Sequence, residues 1–338
     1  MSAKMITGIS WFEDRKAKEK GEPGIRHSYM ASLATTLHYL MGGVDPTWLM
    51  GTSAFAFRII VNEVMCPSAM SVFNWTLVLP EAVEQAGFHC EYVSRLWHEA
   101  EIAEEKRFEA HSAIVEGIKR DVPAVVWDVA DAEWGLIVGY DEEGETYDTL
   151  TWEGKPSRLP FDKLGLNGID VLSVTITDSL NQRSHEEVVN NSLETAVAHA
   201  EQGEWTERPE YQDGLPAYDL WAQLCERWAM LLDAGKAEKI DADLPAHADY
   251  YASHWYSARC YARDYVESIS DGDRNLREAF SSYKEVASRL EPVWKYFSEA
   301  SQPETEDLKI MAQNIRSAKS AEEKGISQIK EYLENATH

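Results

Sequence analysis

Two charged residues stand out because the sequence around each of them is otherwise apolar. Glu133 directly precedes Trp134 and the run "GLIVGY", and Arg58 lies between "SAFAF" and "II". A charged side chain removed from water needs an opposite charge or hydrogen bonds to compensate for its lost hydration. Two interpretations stay open here: the two residues form an ion pair within one ligand-binding cleft, or each is exposed to solvent separately.

The stretch "RHSYMASLATTLHYLMGG" at 26–43 predicts a helix that begins with small residues. Free amides and the helix dipole at such a start stabilise negative charge. The hydroxyl of Ser28, at this start, becomes nucleophilic only if a base within hydrogen-bond reach takes its proton. The simpler interpretation is that Ser28 is an N-cap, which accepts a hydrogen bond from an unpaired amide and contributes about 1 kcal/mol.

Metal, cofactor and thiol chemistry have little support in the sequence. The four cysteines, Cys66, Cys90, Cys225 and Cys260, are far apart and form no Cys-x-x-Cys pair, which indicates inert thiols rather than a zinc site or disulfides. The acidic run at 141–145 is typical of a hairpin turn and lacks the ligand order of a calcium loop. No glycine-rich phosphate loop follows a predicted strand. We therefore predict no metal and no cofactor.

Tryptophan is frequent, with twelve in the chain. Seven of them precede residue 180, among them Trp48, Trp75, Trp127, Trp134 and Trp152. Aromatic side chains with a polar group suit a ligand cleft or a domain interface, and ordinary core packing is the alternative.

The chain of 338 residues has 58 acidic and 32 basic residues, a formal charge of −26. Such a surface repels phosphate backbones and anionic membranes, so we predict neither a nucleic-acid nor a membrane partner. The first 20 residues lack the apolar run of a signal peptide, and no segment approaches the roughly 18 apolar residues of a membrane span. We therefore expect a cytoplasmic protein.

The elements that must position these residues change in character near residue 180. Before it, helical periods alternate with short β-branched or aromatic runs, whereas almost everything after it has the spacing of amphipathic helices. We predict an α+β domain over 1–180 and a helical bundle of five helices over 181–338. In the first domain the predicted helices cover 28–41, 75–86 and 104–119, and the predicted strands cover 88–93, 122–130, a hairpin turning at 141–144, and 168–176.

The segments "SYMASLATTLHYL" and "EWGLIVGYD" resemble parts of a known fold. The first is similar to the first helix of the papain-like peptidases that process bacteriocin leaders, and of the related N-terminal domain of butirosin biosynthesis protein H, an acyltransferase. The second is similar to the strand that bears their histidine. The resemblance implies a papain-like (cysteine-peptidase-like) α+β domain with a mostly antiparallel sheet, here followed by the all-helical domain.

The same resemblance implies which positions correspond to the catalytic residues, and their identities differ here. The cysteine corresponds to Ser28, or to Ser32 if the alignment shifts by one helical turn. The histidine corresponds to Glu133, and the third residue falls near Trp152 and Glu153. The catalytic Cys and His are therefore not retained, and a carboxylate is a weak base for an alcohol.

A longer resemblance, to an uncharacterised bacterial family, spans most of the chain. It rests on "WLMGTSAFAFR" at 48–58, "CPS" at 66–68, "EWGLIVGYD" at 133–141 and "GLPAYDLW" at 214–221. This family brings no established activity, so the resemblance implies architecture rather than function.

Two functions remain open from the sequence. The favoured one is a non-catalytic, degenerate papain-like protein that binds a peptide or small metabolite in the former catalytic cleft. Its ligand-binding candidates are Ser32, Arg58, Trp134 and Trp152. The alternative is a hydrolase or acyltransferase that acts on an amide or thioester, with Ser28 or Ser32 as nucleophile and Glu133 assisting. The amphipathic helices of the second domain exceed what one sheet face needs, which also predicts a homodimer through that domain.

Overall fold

The structure, a computed structural model, describes residues 3–130, 132–204, 209–299 and 303–336. The strands are β1 (Ala3–Met5), β2 (Ile60–Asn62), β3 (Phe88–Arg95), β4 (Ala124–Trp127), β5 (Trp134–Asp141), β6 (Thr146–Leu150), β7 (Ser157–Pro160), β8 (Leu172–Leu180) and β9 (Tyr211–Asp213). The helices are α1 (Arg15–Lys20), α2 (Ser28–Met41), α3 (Pro46–Thr52), α4 (Trp75–Gln85), α5 (Ala103–Lys119), α6 (His185–Gln202), α7 (Leu215–Asp233), α8 (Leu244–Ile269), α9 (Arg274–Glu299) and α10 (Thr305–Ala336).

The chain is mixed α+β, with an antiparallel sheet and a helical C-terminal region, as the sequence predicts. It divides into two compact units. The first unit comprises 1–15, 27–49 and 75–183, and the second comprises 16–26, 50–74 and 184–338. The segments 16–26 and 50–74 therefore belong to the helical unit, although they precede residue 180. A single boundary drawn where the sequence changes in character does not reveal this division.

The first unit is built on a seven-stranded sheet in which β3, β8, β4, β5, β6 and β7 are neighbours in that order and β1 also pairs with β5. Every pairing in this sheet is antiparallel. Strand β4 lies between β8 and β5, and all four of its residues are buried. This confirms the prediction of a buried central strand from the apolar run at 122–130.

Helices cover both faces of this sheet, and adjacent residues of β8 show it. The hydroxyl of Thr175 lies 3.3 Å from the Tyr29 hydroxyl on α2, whereas the side chain of Ile176 faces Gly117 of α5. Successive side chains of a strand point to opposite faces, so α2 and α5 lie on opposite sides of the sheet. Such two-sided cover explains why the central strand is apolar throughout.

Helix α2 has the predicted bounds because its local signals agree with its packing. Leu33 and Leu37 are buried, and Gly42 follows the helix in the left-handed conformation, at φ 71°, that glycine adopts without strain. The predicted helices at 75–86 and 104–119 and the hairpin turning at 141–144 are also confirmed, within one or two residues at each end. The strand predicted at 168–176 begins and ends four residues later, as β8.

The second unit contains α6–α10 and a two-stranded antiparallel sheet of β2 and β9. Helices α9 and α10 pack antiparallel, since Glu278 contacts Gln328 near one end and Tyr296 contacts Glu304 near the other. Their buried residues follow three- and four-residue spacing. Among the described residues, no helix is both long and apolar enough to cross a membrane.

Candidate functional site

The hydroxyl of Ser28 and the carboxylate of Glu133 meet in the first unit. Ser28 is the first residue of α2, and its Oγ donates a hydrogen bond to Oε2 of Glu133. The same oxygen accepts a hydrogen bond from the backbone N–H of Trp134 at 3.2 Å. Both side chains are half-buried. We call Ser28, Glu133 and the N–H of Trp134 the serine site.

This geometry overturns the N-cap interpretation of Ser28. The N-cap position belongs to His27, whose backbone is extended, and no side chain caps the helix there. Ser28 uses its hydroxyl across the tertiary structure, on residues more than a hundred positions away, rather than on its own helix. The hydroxyl is therefore held by the start of β5.

The short connection between β4 and β5 positions Glu133, and Asp128 anchors that connection. Asp128 is buried and has φ +57°, a left-handed conformation that is uncommon outside glycine. Its N–H donates to the carbonyl of Glu133 at 2.9 Å. Its Oδ2 accepts the backbone N–H groups of Gly168 and Ile169 at 2.6 and 2.8 Å. These bonds fasten the connection to the segment before β8.

Aromatic rings surround the serine site on the side of Trp134. The ring of Trp134 has its centroid 4.4 Å from Trp127, 4.6 Å from Trp75, 5.7 Å from Tyr29 and 5.6 Å from His27. Trp134 and Trp127 are buried, and Trp75 is half-buried. At these centroid distances the rings are in direct contact, which is favourable for aromatic pairs. We call these five residues the aromatic cluster.

The chemistry of the serine site is limited by what touches Ser28. Among the described residues, no histidine nitrogen hydrogen bonds to its Oγ, whose partners are Glu133 and the N–H of Trp134. Imidazole titrates near neutral pH and suits proton abstraction from serine, whereas a carboxylate is a much weaker base there. The site is thus arranged to hold a hydroxyl and to present a carboxylate.

Both interpretations left open for Arg58 are wrong, because its side chain is buried and pairs with Glu204. Arg58 belongs to the second unit, where its Nε and Nη2 donate to the two carboxylate oxygens of Glu204 at 2.8 and 2.9 Å. Its Nη1 donates to the carbonyl of Ser53 at 2.9 Å. A guanidinium saturated in this way by a bidentate partner has its charge compensated without Glu133.

The other two ligand-binding candidates, Ser32 and Trp152, differ sharply in exposure. Ser32 is on the next turn of α2, where its side chain is fully buried in the interior of the unit. Trp152 follows β6 and is 61% exposed. The structure therefore brings together Ser28, Glu133 and Trp134 from the predicted set, while the assignments of Ser32 and Trp152 stay predictions.

Sequence reasoning did not single out Asp128 as a site residue, nor the packing of His27 against Trp134. Asp128 carries a weak signal, an acidic residue inside the apolar run "VVWDVA". Trp75 and Trp127 were visible only as two of many tryptophans. Their convergence on Trp134 depends on how α4, β4 and β5 pack, which residue spacing does not encode.

Three of the four thiols are kept neutral by burial, as expected for inert cysteines. Burial raises the pKa of Cys90, Cys225 and Cys260 to about 12, so these side chains remain neutral thiols near neutral pH. Within the part of the chain that the structure describes, no three His, Cys, Asp or Glu side chains are grouped to hold a metal ion.

Comparisons with known proteins do not assign this chain to a family. No protein-family model matches the chain, and no curated protein matches it. The residues of the site are therefore the basis for a function.

Proposed function

We propose that this protein is a degenerate papain-like protein that binds a peptide or small metabolite at the serine site and does not catalyse a reaction. The observation that carries the proposal is the pair of hydrogen bonds at Ser28, whose hydroxyl donates to Glu133 and accepts from the N–H of Trp134. A hydroxyl held in this way, with a carboxylate in place of imidazole, is a recognition group rather than an activated nucleophile.

The papain-like assignment is part of the proposal. It is supported by the position of Ser28 at the N-terminus of α2 and of Glu133 directly before β5, within one hydrogen bond of each other. The resemblance places nucleophile and base at these two positions. Two positions 105 residues apart in the sequence therefore meet in the first unit.

The class of ligand follows from the groups that surround the site. Ser28 and Glu133 are half-buried and offer a hydroxyl and a carboxylate, and the half-buried ring of Trp75 in the aromatic cluster offers an apolar surface. Small-molecule and peptide sites combine a few positioned polar groups with aromatic walls. A ligand with an amide or amine donor next to an apolar group fits this combination.

The test compares the wild type with Ser28→Ala and Glu133→Gln. Each protein is incubated with a panel of short peptides and acyl thioesters, and two quantities are measured. One is the release of product, and the other is the quenching by the ligand of the fluorescence of the tryptophans in the aromatic cluster. We expect background product release from all three proteins. We also expect at least one ligand to change the fluorescence in a saturable way, with an affinity about tenfold lower in both variants. A tenfold loss of affinity is the effect of losing one buried or charge-assisted hydrogen bond.

A hydrolase or acyltransferase that acts on an amide or thioester is the second candidate. The observation that favours it is that the proton of Ser28 is directed at a carboxylate while Oγ lies at a helix N-terminus. In this reaction Oγ attacks the carbonyl carbon, Glu133 accepts the proton, and the proton passes to the amine or thiolate as its bond to that carbon breaks. The acyl ester left on Ser28 is then cleaved by water in a hydrolase or by an acceptor nucleophile in an acyltransferase. Product release by the wild type that falls at least about 100-fold in both variants would establish this candidate and exclude the binder.

A further inference from the structure

Three exposed apolar side chains lie at the end of the sheet that holds the serine site. The strand pairings are antiparallel, so β3 and β4 end where β8 and β5 begin. Trp97 follows β3 by two residues, Leu166 and Ile169 lie in the segment before β8, and Glu133 directly precedes β5. The three apolar side chains are 55%, 38% and 41% exposed, respectively. We call Trp97, Leu166 and Ile169 the apolar corner.

Hydrogen bonds connect the apolar corner to the serine site. The N–H of Ile169 donates to Oδ2 of Asp128 at 2.8 Å. The N–H of Asp128 in turn donates to the carbonyl of Glu133 at 2.9 Å. The loop that carries Ile169 is therefore bonded to the connection that carries the carboxylate of the serine site.

Arg95 holds the other part of the corner. Its buried guanidinium donates to the carbonyl of Gly165 at 2.9 Å and to the carbonyl of Asp170 at 3.0 Å. Trp97 follows Arg95 by two residues, and Leu166 directly follows Gly165. The backbone of the corner is thus anchored while its apolar side chains stay exposed. Isolated apolar side chains are ordinary on a surface, whereas several that are held together mark a binding surface.

The charge of the same segments favours a basic ligand. Segments 95–101 and 161–170, which carry the apolar corner, contain four acidic and two basic residues. One of the basic residues, Arg95, is buried and pairs with Asp170. This pair leaves one lysine against three carboxylates, and Glu133 of the serine site adds a fourth, for a charge of 1 − 4 = −3. Basic side chains on a ligand would complement this charge.

The spacing of the apolar side chains suits an extended peptide. Asn167 and Gly168 separate Leu166 from Ile169, and the amide of Asn167 donates to the carbonyl of Asp128 at 3.1 Å. The corner therefore offers separate apolar points rather than the continuous apolar wall that an acyl chain needs. An extended peptide places every second side chain on one face, about 7 Å apart, and can fill such separate points.

We propose that the ligand of the serine site is an extended peptide that carries large apolar and basic side chains. Its apolar side chains contact the apolar corner, and its basic side chains lie near Glu133 and the neighbouring carboxylates. This inference rests on the binding function proposed for the serine site, and it narrows the ligand from a peptide or small metabolite to a peptide of this composition.

The experiment measures fluorescence anisotropy of labelled peptides titrated with the full chain at constant ionic strength. The probe is the peptide LKLKLK with a neutral fluorophore at its amino terminus. The peptide SKSKSK keeps its charge without the apolar side chains, and LELELE keeps the apolar side chains with the opposite charge. The variants are Trp97→Ser and Ile169→Ser. The matched control is Leu180→Ser, which removes a comparably exposed apolar side chain at the opposite end of β8. Circular dichroism and the Tm verify that all variants fold.

We expect saturable binding of LKLKLK, and binding at least about tenfold weaker for SKSKSK and for LELELE. The affinity for LKLKLK should fall about tenfold in Trp97→Ser and in Ile169→Ser, because each loses apolar contact area with the ligand. It should be unchanged in Leu180→Ser. The inference is overturned if LKLKLK does not bind, if either comparison peptide binds as tightly, or if the corner variants bind LKLKLK like Leu180→Ser.

Ser28→Ala, measured with the same probe, separates this inference from the function on which it rests. We expect Ser28→Ala to weaken LKLKLK binding as well. A loss in Trp97→Ser without a loss in Ser28→Ala would show that the corner binds the peptide alone, which overturns the link to the serine site. A different ligand whose binding depends on Ser28 but not on Trp97 would overturn this inference and leave the proposed function in place.

Discussion

At the scale of single residues, Arg58 has its charge compensated within the helical unit. Glu204 accepts two hydrogen bonds from it, and the Arg58 guanidinium lies 4.9 Å from the ring centroid of Phe55. His199 contributes as well: its Nε2 accepts the N–H of Ile59 at 2.9 Å, which leaves Nδ1 to donate to Glu204 at 2.8 Å. Burial acts to raise the pKa of Glu204, but Arg58 and His199 outweigh it and hold that pKa well below its usual range.

Replacing Glu204 by Gln should lower the free energy of unfolding by about 2–4 kcal/mol, because the Arg58 side chain, 8% exposed, then keeps its charge without a counterion. Urea denaturation at pH 7 measures the change. The control is Glu306→Gln, which removes an 80% exposed carboxylate and should alter stability by less than about 0.5 kcal/mol. Equal effects of the two substitutions would contradict the role given to Glu204.

The pH dependence of stability gives the same residue a second test. The lowered pKa of Glu204 contributes stability above the usual glutamate value of 4.5, and this contribution is lost as the pH falls toward the lower folded-state pKa. Between pH 5 and pH 3 the wild type should therefore lose more stability than Glu204→Gln. Parallel stability curves for the two proteins over this range would show that Glu204 is not the group responsible.

At the scale of elements, the connection from β4 to β5 decides where the carboxylate of the serine site lies. Asp128 holds this connection through the N–H groups of Gly168 and Ile169 and through its own N–H to Glu133. The segment before β8 is in turn held by Arg95, which donates to the carbonyl of Gly165 at 2.9 Å. The position of Glu133 thus depends on two loops that are fastened to each other.

Asp128→Ala should destabilise the protein by about 2–4 kcal/mol, because two N–H groups lose their acceptor and alanine is disfavoured at φ +57°. Asp128→Asn should cost about half as much, since asparagine tolerates this conformation and retains one acceptor oxygen. Thermal and urea unfolding measure both. The control, Asp162→Asn, changes an exposed residue before β8 and should stay within about 0.5 kcal/mol of the wild type.

Helix α3 contains a glycine, Gly51, at a position where the packing leaves no room for a side chain. A Cβ on Gly51 would lie 2.0 Å from Cγ of Tyr265, whose hydroxyl is held by Ser192 at 2.8 Å. Gly51→Ala should therefore cost about 3 kcal/mol or more, because neither the helix nor the ring has room to move. Gly43→Ala is the matched control, since a Cβ there meets nothing within 4 Å. Similar melting temperatures for the two variants would contradict this packing argument.

At the scale of the whole molecule, the helical unit includes a segment from the first half of the chain. The ring of Phe57 lies 5.4 Å from that of Tyr283. The carbonyl groups of Ala56 and Arg58 accept hydrogen bonds from the fully buried guanidinium of Arg259, at 3.3 and 2.7 Å. The same guanidinium forms a buried ion pair with Glu322. The segment 50–74 is thus part of the core of this unit.

A fragment of residues 184–338 should consequently fail to fold cooperatively, because Arg259 loses two carbonyl acceptors inside an apolar core. Circular dichroism during thermal unfolding would show a broad transition, or a Tm well below that of the full chain. Co-expression with the fragment 1–183 supplies segment 50–74 and should restore a sharp transition. A fragment 184–338 that unfolds like the full chain would refute the assignment of this segment to the core.

The homodimer through the helical domain stays a prediction. Buried apolar residues of α7–α10 pack among themselves within the unit, so excess amphipathic surface is a weaker argument for it than the sequence indicates. Light scattering measures the mass directly, and a dimer would have twice the 38.3 kDa of one chain. A mass of one chain would refute the dimer.

Local patterns determined the elements of this protein. The bounds of α2, the buried strand β4 and the five C-terminal helices follow from apolar periodicity and from glycine at turns, because these signals act over a few neighbouring residues. They also placed Ser28 at a helix start and Glu133 at the start of a buried strand. Their assignment to one site came from the resemblance to papain-like proteins.

Only the tertiary structure decided which charged and polar groups meet. Arg58 binds Glu204, 146 positions away, rather than Glu133, and Asp128 binds N–H groups 40 and 41 positions away. Ion pairs and side-chain hydrogen bonds to backbone N–H groups do not recur at a regular spacing along the chain. A sequence therefore shows that a buried charge needs a partner without showing which residue it is. The packing of α2 against the sheet brings Ser28 within one hydrogen bond of Glu133, a pairing that the sequence offered only through a resemblance.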